Sequence, residues 1–275
     1  MNNFNSHIFN TGETNEILRN RYNPEGSTLR KAQLRMLDML LYIDKVCKEQ
    51  NIEYSLEAGN VLGSVRHSGF IPWDDDVDII LERKEYKRLC NYLLSNPHPQ
   101  YKLQTPRTDK WFMNHWNVLR DTKSEYLQDN IIHNIRKYRG LQIDIFPIEN
   151  GVNQTGAKIV HYLHNKNQKI LLSKYKSLSK LFFYIISYII IPFIRIIFIP
   201  FRNKKIYSYS YGLPWIDKKW DSDILFPFKR ILFENHYFPG PAKLDNYLKI
   251  QYNNYMNLPP INERNHHQAT YKIFD

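Results

Sequence analysis

The chain has 275 residues, a formal net charge of +11 and a pI of about 9.4. Its hydrophobic fraction of 43% and charged fraction of 24% are ordinary for a globular protein and exclude a disordered or fibrous one. The positive charge favours an anionic partner: nucleic acid, anionic lipid or a phosphorylated substrate. Because the sequence contains no basic helix, zinc pattern or aromatic–basic strand motif, we expect no nucleic acid among its partners.

The cysteines and the N-terminus indicate the cellular compartment. The two cysteines, Cys47 and Cys90, are far apart in the sequence, which argues against a disulfide framework and against a zinc site. Met1 to Phe4 begin no basic segment followed by an apolar stretch, so we expect no signal peptide. The protein is therefore expected to stay in a reducing, cytoplasmic compartment.

The first half of the chain predicts alternating helices and strands. Residues 1–28 are polar and without periodicity, which predicts a flexible N-terminal arm. From Leu29 to Cys47 the apolar residues recur at helical spacing and predict an amphipathic helix that ends near Gln50. The further predicted elements are strands at 52–56, 73–79, 101–104, 116–119 and 141–146, and helices at 61–66, 83–95 and 241–254.

Residues 181–201 form an apolar segment whose single charge is Arg195. It is long enough to span a bilayer, but Pro192 and Pro200 interrupt it, and basic residues flank both of its ends. We predict a helical insert that lies in or dips into the inner leaflet, with Arg195 reaching a surface. A true span and a buried core or protein-contact helix are the alternatives.

The acidic run Trp73 to Ile79 carries the predicted chemistry. In a strand, Asp74, Asp76 and Asp78 share one face and Asp75 lies on the other. Three neighbouring carboxylates repel one another unless a cation neutralises them, and oxygen ligands suit Mg²⁺ or Mn²⁺. Two alternatives are a solvated acidic turn, which the apolar flanks oppose, and a calcium loop, which requires glycine where Ile79 stands.

Two further groups complete the constellation. Gly63 and Ser64 form a small pair that lets backbone N–H groups approach a phosphate, and Arg66 and His67 add charge to that phosphate. Asp144 lies alone in an apolar strand, where it either completes a metal-ligand set, accepts a proton, or forms a salt bridge with Arg120 or Arg139. This order of groups is the layout of the nucleotidyltransferase fold.

The run from Gly59 to Ile79 closely resembles the signature of the LicD family. That family usually has Gly-Thr-Leu-Leu-Gly-Ala-Val-Arg-His at the start of the run, so this chain departs at Asn60, Val61 and Ser64. The resemblance extends to the preceding helix and to several later segments, namely Ile143–Pro147, Leu232–Glu234, Tyr247–Leu248, Gln251–Met256, Pro259–Pro260 and His266.

The resemblance implies transfer of a phospho-alcohol, most readily phosphocholine, from a CDP-linked donor such as CDP-choline to a glycan such as lipopolysaccharide or capsule. Fukutin-type relatives transfer phospho-ribitol. It implies that Asp76, Asp78 and Asp144 are catalytic and, with Asp74, hold Mg²⁺ or Mn²⁺. The donor- or phosphate-binding residues expected on the same basis are Gly63, Ser64, Arg66, His67 and Trp73. The departure at Asn60 leaves the head group open.

The expected fold is α+β, with a nucleotidyltransferase-like mixed sheet flanked by helices and a helical apolar insert. We place the catalytic core at 29–150 and 223–275 and a membrane-associated insert at 151–222. The enzyme would lie on the cytoplasmic side of the inner membrane, peripheral or monotopic, beside a lipid-linked glycan. Two rivals are an Asp-x-Asp glycosyltransferase, which normally has a βαβ unit before its acidic motif, and a non-enzymatic membrane-bound interaction module.

Overall fold

The computed structural model describes residues 8–127, 131–264 and 270–274. The helices of this part are α1 (Asn15–Tyr22), α2 (Thr28–Glu49), α3 (Ala58–His67), α4 (Arg83–Ser95), α5 (Ile131–Asn134), α6 (Gln154–Leu171), α7 (Lys176–Ile185), α8 (Ile191–Ile197), α9 (Ser222–Leu225) and α10 (Leu244–Tyr252). The strands are β1 (Ser55–Leu56), β2 (Asp78–Glu82), β3 (Tyr101–Gln104), β4 (Asn117–Asp121), β5 (Ser124–Leu127), β6 (Gln142–Asn150), β7 (Ile206–Tyr209), β8 (Lys219–Asp221), β9 (Lys229–Phe233), β10 (His236–Gly240) and β11 (Thr270–Ile273).

A mixed sheet forms the centre of the molecule, with strand order β1-β2-β6-β4-β3. Strands β2 and β6 run parallel, and the other pairs of this sheet are antiparallel. Strand β6 has nine residues, so β4 pairs with its first half and β7 with its second half. Strand β8 then pairs with β7. Helices α2 and α4 contact β6. The predicted α+β class with a mixed sheet and flanking helices is confirmed.

Helix α2 shows why the amphipathic pattern predicted its element well. The Ser27 side chain caps its start by accepting a hydrogen bond from the Arg30 N–H. Met36, Leu40 and Ile43 of the apolar stripe have no solvent exposure, because they pack in the main core. The pattern therefore predicted both the helix and its buried face.

The N-terminal arm is more ordered than its composition predicted. Residues 15–22 form α1, in which the Thr14 side chain accepts from the Ile17 N–H and Leu18 is fully buried. Arg19 donates to the carbonyl of His67 at 2.9 Å. The prediction of a flexible arm is wrong for these residues. Burial of Leu18 and the hydrogen bond from the Arg19 side chain to α3 stabilise a helix that is too short to show periodicity. Residues 1–7 lie outside the described residues, as does His266.

The predicted acidic strand begins later than expected. Regular pairing starts at Asp78, and residues 74–77 belong to no strand. The Asp74 N–H donates to the carbonyl of Ile71 in a turn, and side-chain amides occupy the carbonyls of Asp74 and Asp76. Asp74 and Asp76 are therefore placed by turn and side-chain hydrogen bonds and not by a strand ladder.

The apolar segment is helical and only partly covered. Helices α7 and α8 are joined by a π-helical turn at Ile186–Ile190. Pro192 follows this turn in the first turn of α8, and because proline offers no N–H the helix widens there. Ile186, Ile191 and Ile194 pack with α6 in a second, smaller core. Much of the remaining surface is exposed, since only 22% of the most apolar window is buried.

Candidate functional site

A cavity of about 870 Å³, here called the main cavity, opens between the N-terminus of α3, the acidic run and α10. Its lining combines carboxylates with aromatic rings. The acidic lining residues are Glu57, Asp74, Asp76 and Asp78; the aromatic ones are Trp73, Phe146, Tyr209, Trp215, Tyr252 and Tyr255; Arg66 and Lys218 are basic. Such a lining can hold a ligand that has both a charged and a flat or cationic part.

Strand pairing brings Asp78 and Asp144 together. Asp78 is the first residue of β2 and lies opposite Asp144 in the parallel pair β2–β6. Partners in register point to the same face of a sheet, so the two carboxylates are neighbours. The proximity expected from the sequence is confirmed, whereas the role of these residues as metal ligands stays a prediction.

Two side-chain amides position the backbone of the acidic run. The Asn60 carbonyl oxygen accepts from the Asp78 N–H at 2.6 Å, and its amide donates to the Asp76 carbonyl at 3.3 Å. From α2, Gln33 donates to the Asp74 carbonyl at 2.8 Å. Asn60 thus departs from the family motif and at the same time orients the acidic run. The sequence feature that indicates this contact is a polar amide in the first turn of the helix that precedes the acidic run.

The carboxylates crowd one another. Burial raises the pKa of Asp78 well above its usual value, and the charges of Asp76, Asp144 and Glu57 raise that pKa further. An all-oxygen set with this repulsion fits a hard divalent cation. In the ranges 8–127, 131–264 and 270–274, no three His, Cys, Asp or Glu side chains are already arranged around a metal position.

Asp75 has a different place from its three neighbours. Its carboxylate accepts from the hydroxyl of Tyr126 at 3.4 Å and from the hydroxyl of Tyr271. These tyrosines lie on the paired strands β5 and β11, away from the main cavity. Asp75 thus lies apart from the carboxylates that line the main cavity, as the sequence predicted, and its contacts hold the acidic run against these two paired strands.

Glu57 is a site residue that the sequence did not reveal. It lies just before α3, is 1% exposed, and accepts hydrogen bonds from Tyr209, Tyr247 and Gln251. Burial raises the pKa of its carboxyl to about 7, although these hydrogen bonds act to lower that pKa. Its partners are distant in the sequence, so no local pattern could have identified it.

Of the expected donor-binding residues, Arg66 and Trp73 reach the main cavity. The Arg66 guanidinium donates to the carbonyls of Tyr255 and Asn257 at 2.9 and 3.3 Å, and burial lowers its pKa to about 10. It therefore stays charged at neutral pH and places positive charge beside the carboxylates.

Gly63, Ser64 and His67 lie behind the cavity lining. A side chain at Gly63 would meet the Gly69 carbonyl at 2.3 Å, and the Ser64 hydroxyl donates to the Leu232 carbonyl at 2.6 Å. His67 is 1% exposed and contacts Asn15, and burial with the nearby Arg66 charge lowers its pKa. Their predicted role at a phosphate stays a prediction. The part of α3 that lines the cavity is its N-terminus, Ala58 and Gly59.

Asp144 is held by neutral donors. Its two oxygens accept from Trp116 Nε1 at 2.7 Å and from Gln142 Nε2 at 2.6 Å. Neither Arg120 nor Arg139 lies within ion-pair distance of it in the described part of the chain. The salt-bridge alternative for Asp144 is thus not what the structure shows.

Comparison with known proteins agrees with the resemblance. Residues 51–187 match the model of the LicD/FKTN/FKRP nucleotidyltransferase domain. Over 78 residues the chain is 42% identical to the lipopolysaccharide cholinephosphotransferase LicD of Haemophilus influenzae, covering 28% of this chain and 29% of that relative. Uncharacterized proteins of Rickettsia prowazekii and Rickettsia typhi are each 41% identical over 49 residues, or 18% of this chain and 18% and 16% of theirs. The chain thus spans less than a third of the length of these relatives.

Proposed function

The chain belongs to the LicD family, and from this premise we propose that it transfers a phospho-alcohol group from a CDP-linked donor to a cell-surface glycan. The main cavity carries the proposal. Asp74, Asp76 and Asp78 line it beside an aromatic wall, and Asp144 lies in register with Asp78. The acidic edge suits a cation with a diphosphate, and the wall suits the base and the head group of such a donor.

The aspartates, Arg66 and the N-terminus of α3 each have a role in this proposal. Asp76 and Asp78 would hold Mg²⁺ or Mn²⁺, with Asp74 as a further oxygen ligand, and the cation would neutralise the diphosphate. Arg66 adds a fixed positive charge, and the N-terminus of α3 favours an anion at the same place. The aromatic rings of the lining would limit the access of water to the reacting phosphorus.

The transfer needs one bond to form and one to break. The acceptor oxygen bonds to the phosphorus that carries the alcohol, and the bond from that phosphorus to the CMP oxygen breaks. CMP leaves with the bonding electron pair, and Asp144 accepts the proton of the acceptor hydroxyl. Trp116 and Gln142 fix the orientation of that carboxylate.

Phosphocholine is the head group that we propose. A quaternary ammonium group binds against the faces of aromatic rings, and Trp73, Trp215 and Tyr252 all line the main cavity near the acidic residues. The relative from Haemophilus influenzae is named as a lipopolysaccharide cholinephosphotransferase. Lipopolysaccharide or capsule is accordingly the acceptor class that we propose, with CDP-choline as the donor.

We propose a location at the cytoplasmic face of the inner membrane, and the exposed apolar helices support contact with a lipid surface. Leu181, Ile189, Phe193 and Ile196 are each more than 60% exposed. Arg195 does not extend to a surface as the sequence suggested, because it forms an ion pair with Glu149 of β6 at 2.7 Å. One side of the segment is therefore attached to the sheet, which favours a monotopic insertion over a full span.

The direct test is CMP release from a panel of CDP-alcohols with Mg²⁺, scored with and without a lipopolysaccharide acceptor. We expect CDP-choline to give the fastest acceptor-dependent release. Faster turnover with CDP-ribitol would replace the head group, and turnover only with nucleotide sugars would replace the proposal by a glycosyltransferase.

A further inference from the structure

A second cavity of about 250 Å³ is lined by Asp144, which does not line the main cavity. Strand β4, strand β6, α6 and the residues after α5 enclose it. Its polar lining residues include Arg120, Arg136, Gln142, Asp144, His164 and Gln168. Because Asp144 pairs in register with Asp78, the two cavities adjoin at this pair of carboxylates.

Two guanidinium groups give this cavity a positive charge. Arg120 is 1% exposed and donates to the Gln104 side chain and the Gly140 carbonyl at 2.8 and 2.9 Å. Arg136 donates to the Asn114 side chain at 3.3 Å. Within the described ranges, neither guanidinium is in ion-pair contact with a carboxylate. A buried cation and a partly buried one without a contacting anion are costly, and a bound anion would offset that cost.

The pKa values agree with this charge distribution. Burial and the repulsion from Arg136 lower the pKa of Arg120 to about 9, and Asp144 offsets only part of that change. Burial also lowers the pKa of Arg136. Both side chains are charged at neutral pH.

Polar atoms at the second cavity without a hydrogen-bond partner among the described residues include Arg136 Nε, His164 Nδ1 and Gln168 Oε1. The Gln168 amide nitrogen donates to the Met113 carbonyl and lies 3.2 Å from His164 Nε2. His164 Nε2 must therefore accept, which leaves Nδ1 as a donor in the neutral ring. Arg136 Nε and His164 Nδ1 are donors and Gln168 Oε1 is an acceptor. This combination fits an anionic group next to a hydroxyl.

We propose that the second cavity binds a phosphate or carboxylate group of the glycan acceptor and thereby directs an acceptor hydroxyl to Asp144. This assignment rests on the proposed function, since it places the acceptor opposite the donor in the main cavity. The same chemistry would recognise a phosphate of the donor, and the experiment separates these two sources.

The test uses the full chain with Arg136→Gln, Arg136→Lys and the control Arg107→Gln, which removes an exposed charge elsewhere. Inorganic phosphate is titrated by isothermal calorimetry, and circular dichroism checks the fold. Arg136→Gln should weaken phosphate binding about tenfold, since it removes a charge-assisted contact. Arg136→Lys should retain most of the affinity, and the control should leave it unchanged. Equal affinity of the wild-type and Arg136→Gln proteins would overturn the proposal.

The kinetic arm compares a neutral methyl hexoside, its phosphate monoester and a methyl hexuronide as acceptors. Arg136→Gln should raise the KM of the two anionic acceptors about tenfold and leave the KM of the neutral acceptor and of the donor unchanged. A higher donor KM with unchanged acceptor KM would assign the subsite to the donor and overturn the acceptor assignment. If the wild-type protein releases no CMP from any CDP-alcohol, the proposed function fails, and the phosphate titration alone decides the subsite.

Discussion

The carboxylate edge of the main cavity and the apolar helices at residues 176–201 differ in opposite ways from an ordinary protein surface. At the carboxylate edge, Asp74 is 9% exposed and Asp78 is raised in pKa by burial. At the apolar helices, Ile196 and Phe201 are 65% and 76% exposed. Charge is thus withdrawn from water in one region, and apolar surface is left in water in the other.

Both arrangements cost free energy in the isolated chain, but they need different partners. Buried carboxylates require a cation, whereas exposed apolar side chains require a non-aqueous phase or a protein surface. The residues behind each region form normal hydrogen bonds and apolar contacts. Hydrogen bonds from Asn60 and Gln33 hold the acidic run, and Ile186 and Ile194 anchor the apolar helices. The comparison therefore predicts that substitutions at the two regions reduce function without reducing stability.

The largest effect is expected at Asp78. Asp78→Asn should lower turnover by about a hundredfold or more, because a neutral amide binds Mg²⁺ poorly and several kcal/mol of transition-state stabilisation are lost. Its melting temperature should not fall, because the substitution removes a buried like charge. Asp76→Asn should behave in the same way, and the exposed Asp38→Asn serves as the control. Retention of more than about a tenth of wild-type turnover would reject the ligand assignment.

Asp144 should affect the chemical step. Asp144→Asn keeps an oxygen for the Trp116 donor but cannot accept a proton, so kcat should fall roughly 100-fold with little change in donor KM. Steady-state kinetics with varied CDP-choline measure both quantities. An unchanged kcat with a lower melting temperature would show that Asp144 has only a structural role.

The apolar helices should determine binding to lipid. Deletion of residues 181–201 would also remove Ile186 and the Arg195–Glu149 ion pair, so point substitutions are the sharper test. Phe193→Ser with Ile196→Ser should reduce flotation with phosphatidylethanolamine–phosphatidylglycerol vesicles at least about tenfold, because each side chain contributes roughly 1.5–3 kcal/mol on burial. The similarly exposed Ile261→Ser is the control. Flotation equal to that of wild type would assign this surface to a protein partner.

The smallest effect concerns the packing of the apolar helices against the rest of the fold. His115 stacks on Phe183 of α7 and lies against His164 of α6. Burial, followed by the charge of neighbouring groups, lowers the pKa of His115 to about 3 and that of His164 to about 4. Both rings are neutral in the fold, whereas in the unfolded chain they take up protons below about pH 6.5. Stability is therefore complete above that pH and falls as the pH drops toward these values.

Urea unfolding at pH 7 and pH 5 measures this effect. Each histidine should account for roughly 2 kcal/mol of lost unfolding free energy at pH 5. His115→Gln should reduce the difference between the two pH values. An equal difference in this variant would show that His115 does not carry the pH dependence.

The elements with strong local patterns were predictable from the sequence. Helix α2 and strand β3 follow their periodicity, and the solitary Asp144 indicated a site beside the acidic run because a lone carboxylate in an apolar strand needs a reason. The boundaries of the acidic strand were not predictable. Side-chain amides from Gln33 and Asn60 replace the strand ladder there, and such contacts leave no periodic trace.

Long-range polar contacts were the other part that the sequence could not supply. Glu57 accepts hydrogen bonds from Tyr209 and Tyr247, which are distant in the sequence. Arg195 forms an ion pair with Glu149 instead of extending to the surface. These contacts depend on how β6, β7 and α10 pack in the folded chain. Local sequence composition does not indicate which residues will meet there.

The central claim is that the buried carboxylate edge uses a divalent cation to transfer phosphocholine. The most direct measurement is CMP release from CDP-choline by the wild-type protein, with Mg²⁺ and after chelation, in the presence of lipopolysaccharide. We expect release that depends on both Mg²⁺ and acceptor and that Asp78→Asn abolishes. Release that persists after chelation, or that is unchanged in Asp78→Asn, would contradict it.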